Sequence, residues 1–396
     1  MISNKMKKLV EGSSVIRAMF EEGQIMAKKY GAENVFDFSL GNPSVEPPKE
    51  IKEAMIDIIN NESPNYLHGY MSNQGYEDVR ECIADSLNKR FETNFKANNI
   101  VMTVGAAGGL NTILKALINP GEEVVVFAPY FGEYNNYISN VDGKVVAVKP
   151  NTVDFQPNLD EFEGLITKNT KAVIVNTPNN PTGVVYSEET IKKLASIMEA
   201  KQKEFGTDIY LISDEPYREL VYDGVKVPYL TKYYNNTVVG YSYSKSLSLP
   251  GERIGYLVIP CEVSDYQNVY DACCVATRIL GFVNAPSLQQ RVVAKCLDAK
   301  VDVEIYNKNR ELLYTSLKNF GYDCIKPEGA FYLFVKAPTG DDKEFAADAK
   351  KHNILIVPGS SFACPGYCRL AYCVDYSKIQ GSLKGFEALI NEYKNK

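Results

Sequence analysis

A run of fourteen residues, Ser242 to Gly255, carries the side chains whose types and spacing most clearly suggest chemistry. It reads SYSKSLSLPGERIG, and it places one arginine, Arg253, eight positions after one lysine, Lys245. A lysine amine attacks a carbonyl carbon and forms a Schiff base when its pKa is lowered. Serine hydroxyls and a guanidinium suit a phosphate dianion, which takes several donors and a fixed positive fork.

An amine and a phosphate site side by side indicate an aldehyde that carries a phosphate group. Pyridoxal 5′-phosphate (PLP) has this chemistry. On this stretch alone a second interpretation stays open, in which the apolar run Val238–Tyr241 is a buried strand and the polar residues after it form a solvated loop. The rest of the chain decides between the two.

Composition excludes several classes of protein. The chain has 396 residues, 45% hydrophobic and 23% charged, with a formal net charge of −6. These values are typical of a globular protein of two domains. No basic stripe stands out, so we expect no nucleic-acid partner. No apolar run approaches the length of a bilayer crossing, and the first 20 residues lack the apolar core of a signal peptide.

The cysteine and histidine content argues against a disulfide scaffold, a metal site and a catalytic triad. Nine cysteines are scattered without a regular spacing, which predicts reduced thiols and a cytoplasmic protein. Cys364, Cys368 and Cys373 are loosely spaced, and only two histidines are available as further ligands. We therefore expect no metal. Two histidines also make a serine or cysteine triad a poor hypothesis.

Strands alternating with helices over residues 95–260 predict an α/β domain with a mostly parallel sheet. Several polar stretches directly follow predicted strands, so one edge of the sheet is expected to gather them. These stretches are Gly105–Gly109, Pro129–Phe131, Asn176–Gly183, Asp214–Tyr217 and the Lys245 run. Gly105–Gly109 is interpreted as a turn before a helix starting at Leu110, where free backbone N–H groups favour an anion. Phe131 either stacks on a planar ring or fills the core.

The remaining segments predict a second, smaller α+β unit. We expect an amphipathic arm and helix over residues 1–30, a strand at 37–40, a polar aromatic loop at 66–75 and one long helix from about 287 to 317. Further short strands are predicted at 331–335, 354–357 and 368–373, before a last helix at 378–393. There are no internal repeats.

Taken in order, these stretches resemble the class I/II aminotransferases, which are PLP enzymes of fold type I. The resemblance extends from about Asp37 to Arg369 and includes the strand-end stretches above together with Gly41-Asn42-Pro43, Tyr70…Gly75 and Arg369-Leu370. It implies an α/β fold with a large domain, built on a mostly parallel seven-stranded sheet flanked by helices. The smaller α+β domain would be made of the N-terminal arm and the C-terminal part. The implied boundaries are 1–47, 48–285 and 286–396.

The resemblance also implies roles around the cofactor ring. Lys245 would join the cofactor covalently and then move the proton between the substrate Cα and cofactor C4′. Asp214 would pair with the pyridine nitrogen and keep it protonated. Tyr217 and Asn180 would contact the 3′ oxygen, and Phe131 would stack on the ring face.

Phosphate and substrate contacts are implied in the same way. Ala106, Ala107, Ser242 and Arg253 would hold the phosphate, with Gly105 shaping the turn of the cofactor-binding site. Tyr70 would reach the phosphate of a second subunit, so that a homodimer with shared active sites is expected. Arg369 would take the substrate α-carboxylate as a two-toothed fork, helped by Gly41 and Asn180.

Three departures from the family pattern bear on specificity. Phe131 stands where aspartate-specific members often carry tryptophan, and Gly105-Ala106-Ala107 replaces a serine/threonine version. The family arginine that would bind a second carboxylate of the substrate has no counterpart at the matching position. Arg278 lies about one residue out of register with it, and Arg17 is the other candidate. A preference for acidic substrates is therefore doubtful.

The predicted function is PLP-dependent transfer of an amino group from an L-amino acid to a 2-oxo acid, plausibly 2-oxoglutarate, by a ping-pong mechanism. One alternative is a PLP-dependent C–S β-lyase, although its relatives usually carry histidine where this chain has Asn179. A different class of alternative is a non-catalytic PLP-binding regulator, which would need a DNA-binding extension for which the residues before Asp37 leave no room.

Overall fold

The computed structural model describes residues 2–11 and 15–395. Its α-helices are α1 (Asn4–Glu11), α2 (Val15–Tyr30), α3 (Lys49–Asn61), α4 (Pro64–His68), α5 (Glu77–Phe91), α6 (Gly105–Leu117), α7 (Glu133–Asn140), α8 (Leu159–Leu165), α9 (Glu188–Phe205), α10 (Tyr243–Ser246), α11 (Tyr266–Ile279), α12 (Ser287–Lys295), α13 (Val303–Phe320), α14 (Asp342–Lys351) and α15 (Tyr376–Lys394). Its strands are β1 (Phe36–Asp37), β2 (Ile100–Thr103), β3 (Glu123–Phe127), β4 (Lys144–Val148), β5 (Thr170–Asn176), β6 (Tyr210–Asp214), β7 (Thr237–Ser242), β8 (Gly255–Val258), β9 (Tyr332–Lys336), β10 (Ile354–Leu355), β11 (Val357–Pro358) and β12 (Tyr367–Ala371).

A seven-stranded sheet with the order β2-β8-β7-β6-β5-β3-β4 forms the larger part of the molecule. Strand β8 is antiparallel to both of its neighbours, and the other pairs are parallel. The central strands read as continuous apolar runs because helices cover both faces of a parallel sheet. In β3, for example, Val124, Val125 and Val126 are fully buried. The predicted fold class, a mostly parallel seven-stranded sheet with helices, is confirmed.

The C-terminal part builds a smaller antiparallel sheet with the order β11-β12-β9. The short strand β1 pairs in parallel with β10, through Phe36 with Ile354 and Asp37 with Leu355. The N-terminal segment is therefore held against the C-terminal part, as the sequence predicts for the smaller α+β unit. The domain boundaries at 47/48 and 285/286 stay predictions.

Four element predictions are wrong in detail. The single helix predicted from about 287 to 317 is two helices, α12 and α13, because Asp302 caps α13 by accepting a hydrogen bond from the backbone N–H of Glu304 at 3.0 Å. The loop predicted at 66–75 begins inside helix α4, which has a proline at its start. The strand predicted at 354–357 is divided between β10 and β11, which belong to different sheets.

The helix predicted from Leu110 starts five residues earlier, at Gly105. The run Gly105–Gly109 is thus the first turn of α6 and not a separate loop. Its leading N–H groups still lack partners within the helix, because the first four N–H groups of any α-helix do.

Three further observations concern membrane crossing, metal binding and the state of the cysteines. No helix within them combines the length and the apolar character that a membrane crossing requires. The same residues contain no group of three His, Cys, Asp or Glu side chains placed to hold a metal ion. All nine cysteines are free thiols.

Candidate active site

A cavity of about 270 Å³ lies at the carboxyl ends of β5, β6 and β7, between the large sheet and the C-terminal part. Eleven of the thirteen residues that the sequence predicts for the site line it: Gly41, Ala106, Ala107, Phe131, Asn180, Asp214, Tyr217, Ser242, Lys245, Arg253 and Arg369. The carboxyl ends of parallel strands are where open α/β sheets bind their ligands.

Lys245 lies on the short helix α10, directly after the buried strand β7. Its Nζ donates to the backbone carbonyl of Gly41 at 2.7 Å and lies over the Phe331 ring. Burial lowers the pKa of the amine to about 8; Cys373 opposes this shift, whereas the positive charge of Arg369 adds to it. A fraction of the amine is therefore neutral near pH 7, which is the form that attacks a carbonyl.

Asp214 is the last residue of β6 and is 4% exposed. Its Oδ2 accepts a hydrogen bond from the Tyr134 hydroxyl at 2.6 Å. Its Oδ1 is buried and finds no hydrogen-bond partner among the described residues. Burial raises the pKa of the carboxyl to about 7; the Tyr134 hydrogen bond lowers it, and the Glu215 charge raises it. One oxygen of a buried carboxylate is thus left for a donor that the protein does not supply.

The N-terminus of α6 and the side chain of Arg253 form one corner of the cavity. Gly105 has a left-handed φ of +72°, and a Cβ added there would lie 2.6 Å from Nη2 of Arg253. Glycine is therefore required where the guanidinium packs against the helix start. Arg253 Nη1 donates to the Pro250 carbonyl at 2.8 Å. Ser242 Oγ accepts from the N–H of Ser244 at 3.1 Å.

Arg369, on β12, is 2% exposed at the opposite side of the cavity. Its Nη1 donates to Oδ1 of Asn180 at 3.0 Å, and its Nη2 donates to the Ser39 carbonyl at 2.6 Å. The guanidinium lies between two aromatic rings, 4.7 Å from that of Tyr332 and 4.8 Å from that of Phe362. Its Nε is buried without a partner among the described residues. The sequence alone would make this residue a surface charge.

Tyr217 and Tyr332 share a hydrogen bond between their hydroxyl groups at 2.8 Å. Gly41 packs against the same group, because a Cβ on Gly41 would lie 2.1 Å from the Tyr332 hydroxyl. Since Gly41 also accepts the bond from Lys245, Tyr332 holds the backbone that positions the lysine.

The family of the chain agrees with this geometry. The model of the family described as aminotransferase class I and II matches residues 33–384. The chain belongs to this family. The aminotransferase is also similar to the aspartate aminotransferase of Thermotoga maritima, with 31% identity over 91% of this chain and 92% of that protein. It is 29% identical to the aromatic-amino-acid aminotransferase 2 of Thermococcus litoralis, over 96% of both chains.

A solved structure supports the same assignment. The crystal structure of an amino transferase from Eubacterium rectale has a TM-score of 0.97 to this aminotransferase, with 47% identity and full coverage of both chains. The relatives carry different substrate names, so they agree on the reaction and not on the amino acid.

Three residues singled out by the sequence lie away from the cavity of this aminotransferase or outside the described side chains. Tyr70 is 93% exposed and contacts nothing in the site of its own chain. Arg278 is exposed in the last turn of α11 and does not line the cavity. The side chain of Arg17 lies outside the described residues.

Asn179, where β-lyase relatives usually carry histidine, is a structural residue in this aminotransferase. It is buried, and its Oδ1 accepts from the Thr182 hydroxyl at 2.8 Å and from the Thr182 N–H at 3.2 Å. It therefore shapes the loop that presents Asn180. The comparisons do not favour the lyase alternative.

Sequence reasoning missed three residues that complete the site of the aminotransferase. Tyr134 hydrogen-bonds Asp214, Tyr332 hydrogen-bonds Tyr217, and Asn176 joins two of the predicted segments. The Asn176 amide donates to the Asp214 carbonyl at 2.9 Å, and its Oδ1 accepts from the Asn180 N–H at 2.7 Å. Its position at the end of β5 was a usable signal; tyrosines in a chain with 27 of them were not.

Proposed function

We propose that this aminotransferase uses PLP in the 270 Å³ cavity to move the amino group of an L-amino acid to a 2-oxo acid, in two half-reactions of a ping-pong cycle. One observation carries the proposal: the cavity joins a lysine of lowered pKa to a buried carboxylate with one unpartnered oxygen. This pair suits an aldehyde carried on a ring carbon opposite a protonated ring nitrogen.

The residues present fit PLP at both ends. Oδ1 of Asp214 is free to accept the N–H of a pyridinium ring, whose positive charge would reverse the effect of burial on the Asp214 pKa. The free N–H groups of Ala106 and Ala107, the Ser242 hydroxyl and Arg253 would hold the phosphate. Phe131 would stack on the ring, and Tyr217 and Asn180 would contact its 3′ oxygen. When bound, PLP supplies an electron sink for the bonding electrons at the substrate Cα.

Lys245 performs the proton transfers at Cα in this proposal. Its Nζ is held by the Gly41 carbonyl, so its orientation is fixed by a backbone atom. The lowered pKa leaves the amine able to accept a proton near neutral pH and to return it on the other half-reaction. Asp214 keeps the proton at the ring nitrogen throughout.

Arg369 orients the substrate by its α-carboxylate. Two of its nitrogens are already fixed by Asn180 and Ser39, so the guanidinium is preorganised before substrate arrives. The α-carboxylate of the substrate would bind to the guanidinium of Arg369 where that group borders the cavity. The amino group and the Cα–H bond would thereby be presented to Lys245, in a site whose walls include Leu40, Phe131 and Tyr332.

We further propose a homodimer in the cytoplasm, with 2-oxoglutarate as acceptor. Tyr70 is 93% exposed in the single chain, so its side chain is available for the contact with a second subunit that the family resemblance implies. Nine free thiols are typical of a reducing compartment. The donor amino acid is left open.

Stoichiometry tests the function. The holoenzyme is mixed with each of a panel of L-amino acids without any 2-oxo acid acceptor. With a true donor we expect about one 2-oxo acid per active site and then no further product, and we expect turnover to resume when 2-oxoglutarate is added. Continuous release of pyruvate and ammonia without an acceptor would indicate a lyase, and an absence of transfer from every donor would refute the proposal.

A further inference from the structure

A second cavity, of about 490 Å³, lies behind helix α10 and is larger than the active-site cavity. Tyr243, Ser246 and Leu247 line it, whereas Ser244 and Lys245 on the same segment line the active site. We propose that this second cavity binds a free amino acid with a large apolar side chain, at a site separate from the active site. The inference does not depend on the proposed function.

The size of the cavity argues for an occupant. Protein interiors are packed like organic crystals, with few voids larger than a water molecule. Sites for small molecules are concave, measure about 300–1,000 Å³ and combine apolar or aromatic walls with a few polar groups. The second cavity has this combination on its walls.

The walls are apolar and aromatic on the side of the large sheet. Ile83, Leu87 and Leu247 are almost fully buried and supply aliphatic surface. Tyr241 and Tyr256 stack with ring centroids 5.0 Å apart, and Tyr243 packs against Tyr256 at 5.9 Å. This surface suits an aromatic or large aliphatic side chain.

One hydrogen-bonding group on the same walls lacks a protein partner. The Ser246 hydroxyl, on α10, is buried and finds no hydrogen-bond partner among the described residues. Arg90 is ion-paired with Glu219, and the Tyr241 hydroxyl also donates to Glu219, at 3.3 Å. Buried polar groups are normally satisfied, so the Ser246 hydroxyl points to an occupant with a polar group.

Charges of both signs line the remaining wall, which is the loop between α12 and α13. This loop contributes Asp298, Lys300 and Asp302, and all three are exposed, so they lie where the cavity meets solvent. Arg90 and Glu219 pair with each other, so among the described lining residues one positive charge (Lys300) and two negative charges (Asp298 and Asp302) have no ion-pair partner. An α-amino acid brings an ammonium and a carboxylate together and so matches a mixed wall, whereas a simple anion would meet two carboxylates.

The position of the cavity links its occupant to the active site. The occupant would touch α10, which carries Lys245, and the loop that connects α12 to α13. This loop joins a helix that packs on α3 and α5 to a helix that packs on α15 in the C-terminal part. If the ligand binds one arrangement of the two parts of the molecule more tightly than another, binding would shift the population toward the first arrangement. The size of the shift is set by the difference between the two affinities.

The test uses L-α-methylphenylalanine, an amino acid without a Cα–H bond, which the enzyme cannot transaminate. Binding to the dimeric holoenzyme is measured by calorimetry, and a crystal soaked in the probe shows where it lies. We expect probe density in the second cavity. Ala299→Trp, which fills the cavity from the loop, and Lys300→Met are each expected to weaken this binding at least about tenfold. Lys308→Met, at an exposed lysine outside the cavity, is the matched control and should leave it unchanged.

The proposal is overturned if probe density appears only in the active site, or if both loop variants bind as the native protein does. Should Ala299→Trp fail to fold, as circular dichroism would reveal, the exposed Lys300→Met still decides. 3-Phenylpropionate tests the class of ligand, because it lacks the ammonium group. Equal affinity for it and for the amino acid would refute a zwitterion site.

Discussion

The hydroxyl of Tyr134 donates to Oδ2 of Asp214 at 2.6 Å, while Oδ1 of the same carboxylate has no partner among the described residues. This arrangement fixes the carboxylate and lowers a pKa that burial raises to about 7. Tyr134 therefore acts through Asp214, as a positioning residue for the proposed ring-nitrogen contact.

Tyr134→Phe is expected to raise the Asp214 pKa further and to weaken PLP binding. A hydrogen bond to a charged group is worth about 1.5–3 kcal/mol, which corresponds to a loss of roughly 10- to 100-fold in affinity. The loss should be larger at pH 6 than at pH 8, because a raised pKa leaves more of the acid protonated at the lower pH. Equilibrium titration of the cofactor-free protein measures it. Tyr130→Phe is the control, since that hydroxyl donates to Asn135; equal losses in both variants would contradict the role.

Lys245 should capture PLP covalently with a pH dependence set by its lowered pKa. The neutral amine is the reactive form, so the rate of capture by the cofactor-free protein is expected to rise with pH and to level off above about pH 8. Stopped-flow absorbance in the visible follows the reaction, and borohydride fixes the product for mass spectrometry. Lys245→Ala should show no fixed product, whereas Lys226→Ala, at an exposed position, should behave as the native protein does. A rate still rising at pH 10 would show that burial does not set this pKa.

Arg369→Lys should raise KM for every donor amino acid, because a point charge cannot replace a planar fork held by Asn180 and Ser39. We expect an increase of about 10- to 100-fold with a smaller change in kcat, as for a contact made in both ground and transition states. Steady-state kinetics over the donor panel measure it. Arg291→Lys, at an ion pair with Glu62, is the control. If KM rose only for acidic donors, Arg369 would bind the side-chain carboxylate of the substrate and not its α-carboxylate.

Gly41→Ala is expected to impair the site through Tyr332. The added Cβ would lie 2.1 Å from the Tyr332 hydroxyl, so the backbone carbonyl that holds Lys245 must move. Loss of about 100-fold in kcat/KM is expected, since small displacements of positioning groups are costly. Combining it with Tyr332→Phe should recover part of the activity, because the closest atom is removed. Gly164→Ala, where a Cβ meets no atom within 4 Å, controls for the substitution itself; a double variant no better than the single would disprove the contact.

Mixing two inactive variants decides whether Tyr70 contributes to the active site of its own subunit or to that of a second subunit. Tyr70→Ala and Lys245→Ala chains are unfolded together, refolded and assayed. If Tyr70 serves the partner's site, each hybrid dimer of two-fold symmetry has one complete site, and random mixing should restore about a quarter of the native activity. Tyr70→Ala refolded alone is the control. No recovery in a mixture proven to contain hybrids would place Tyr70 outside the shared site.

The sequence predicted the sheet and most of the site because both follow from local order along the chain. Lys245 and Asp214 each stand at the end of an apolar run, and a parallel sheet brings such ends to one edge. Arg369 was placed only through the family resemblance. No local pattern distinguishes it from a surface arginine, although it is 2% exposed.

The parts that sequence reasoning missed depend on contacts between distant segments or on weak boundary signals. Tyr134 and Tyr332 reach their partners across 80 and 115 residues. The break between α12 and α13 was hidden because the apolar spacing continues through it, and only the cap at Asp302 marks the new start. The start of α6 was missed because glycines, which are poor helix formers, fill its first turn.

The pairing of β1 with β10 and the bond from Arg369 to Ser39 have a consequence for biosynthesis. All strands of the large sheet have been translated by Val258, yet Arg369, the proposed carboxylate ligand, and β10, which pairs with β1, come more than ninety residues later. The opening segment therefore finds its strand partner only after the last part of the chain has been made. A chain that ended before β12 would contain every strand of the large sheet but would lack Arg369, the proposed ligand of the substrate carboxylate.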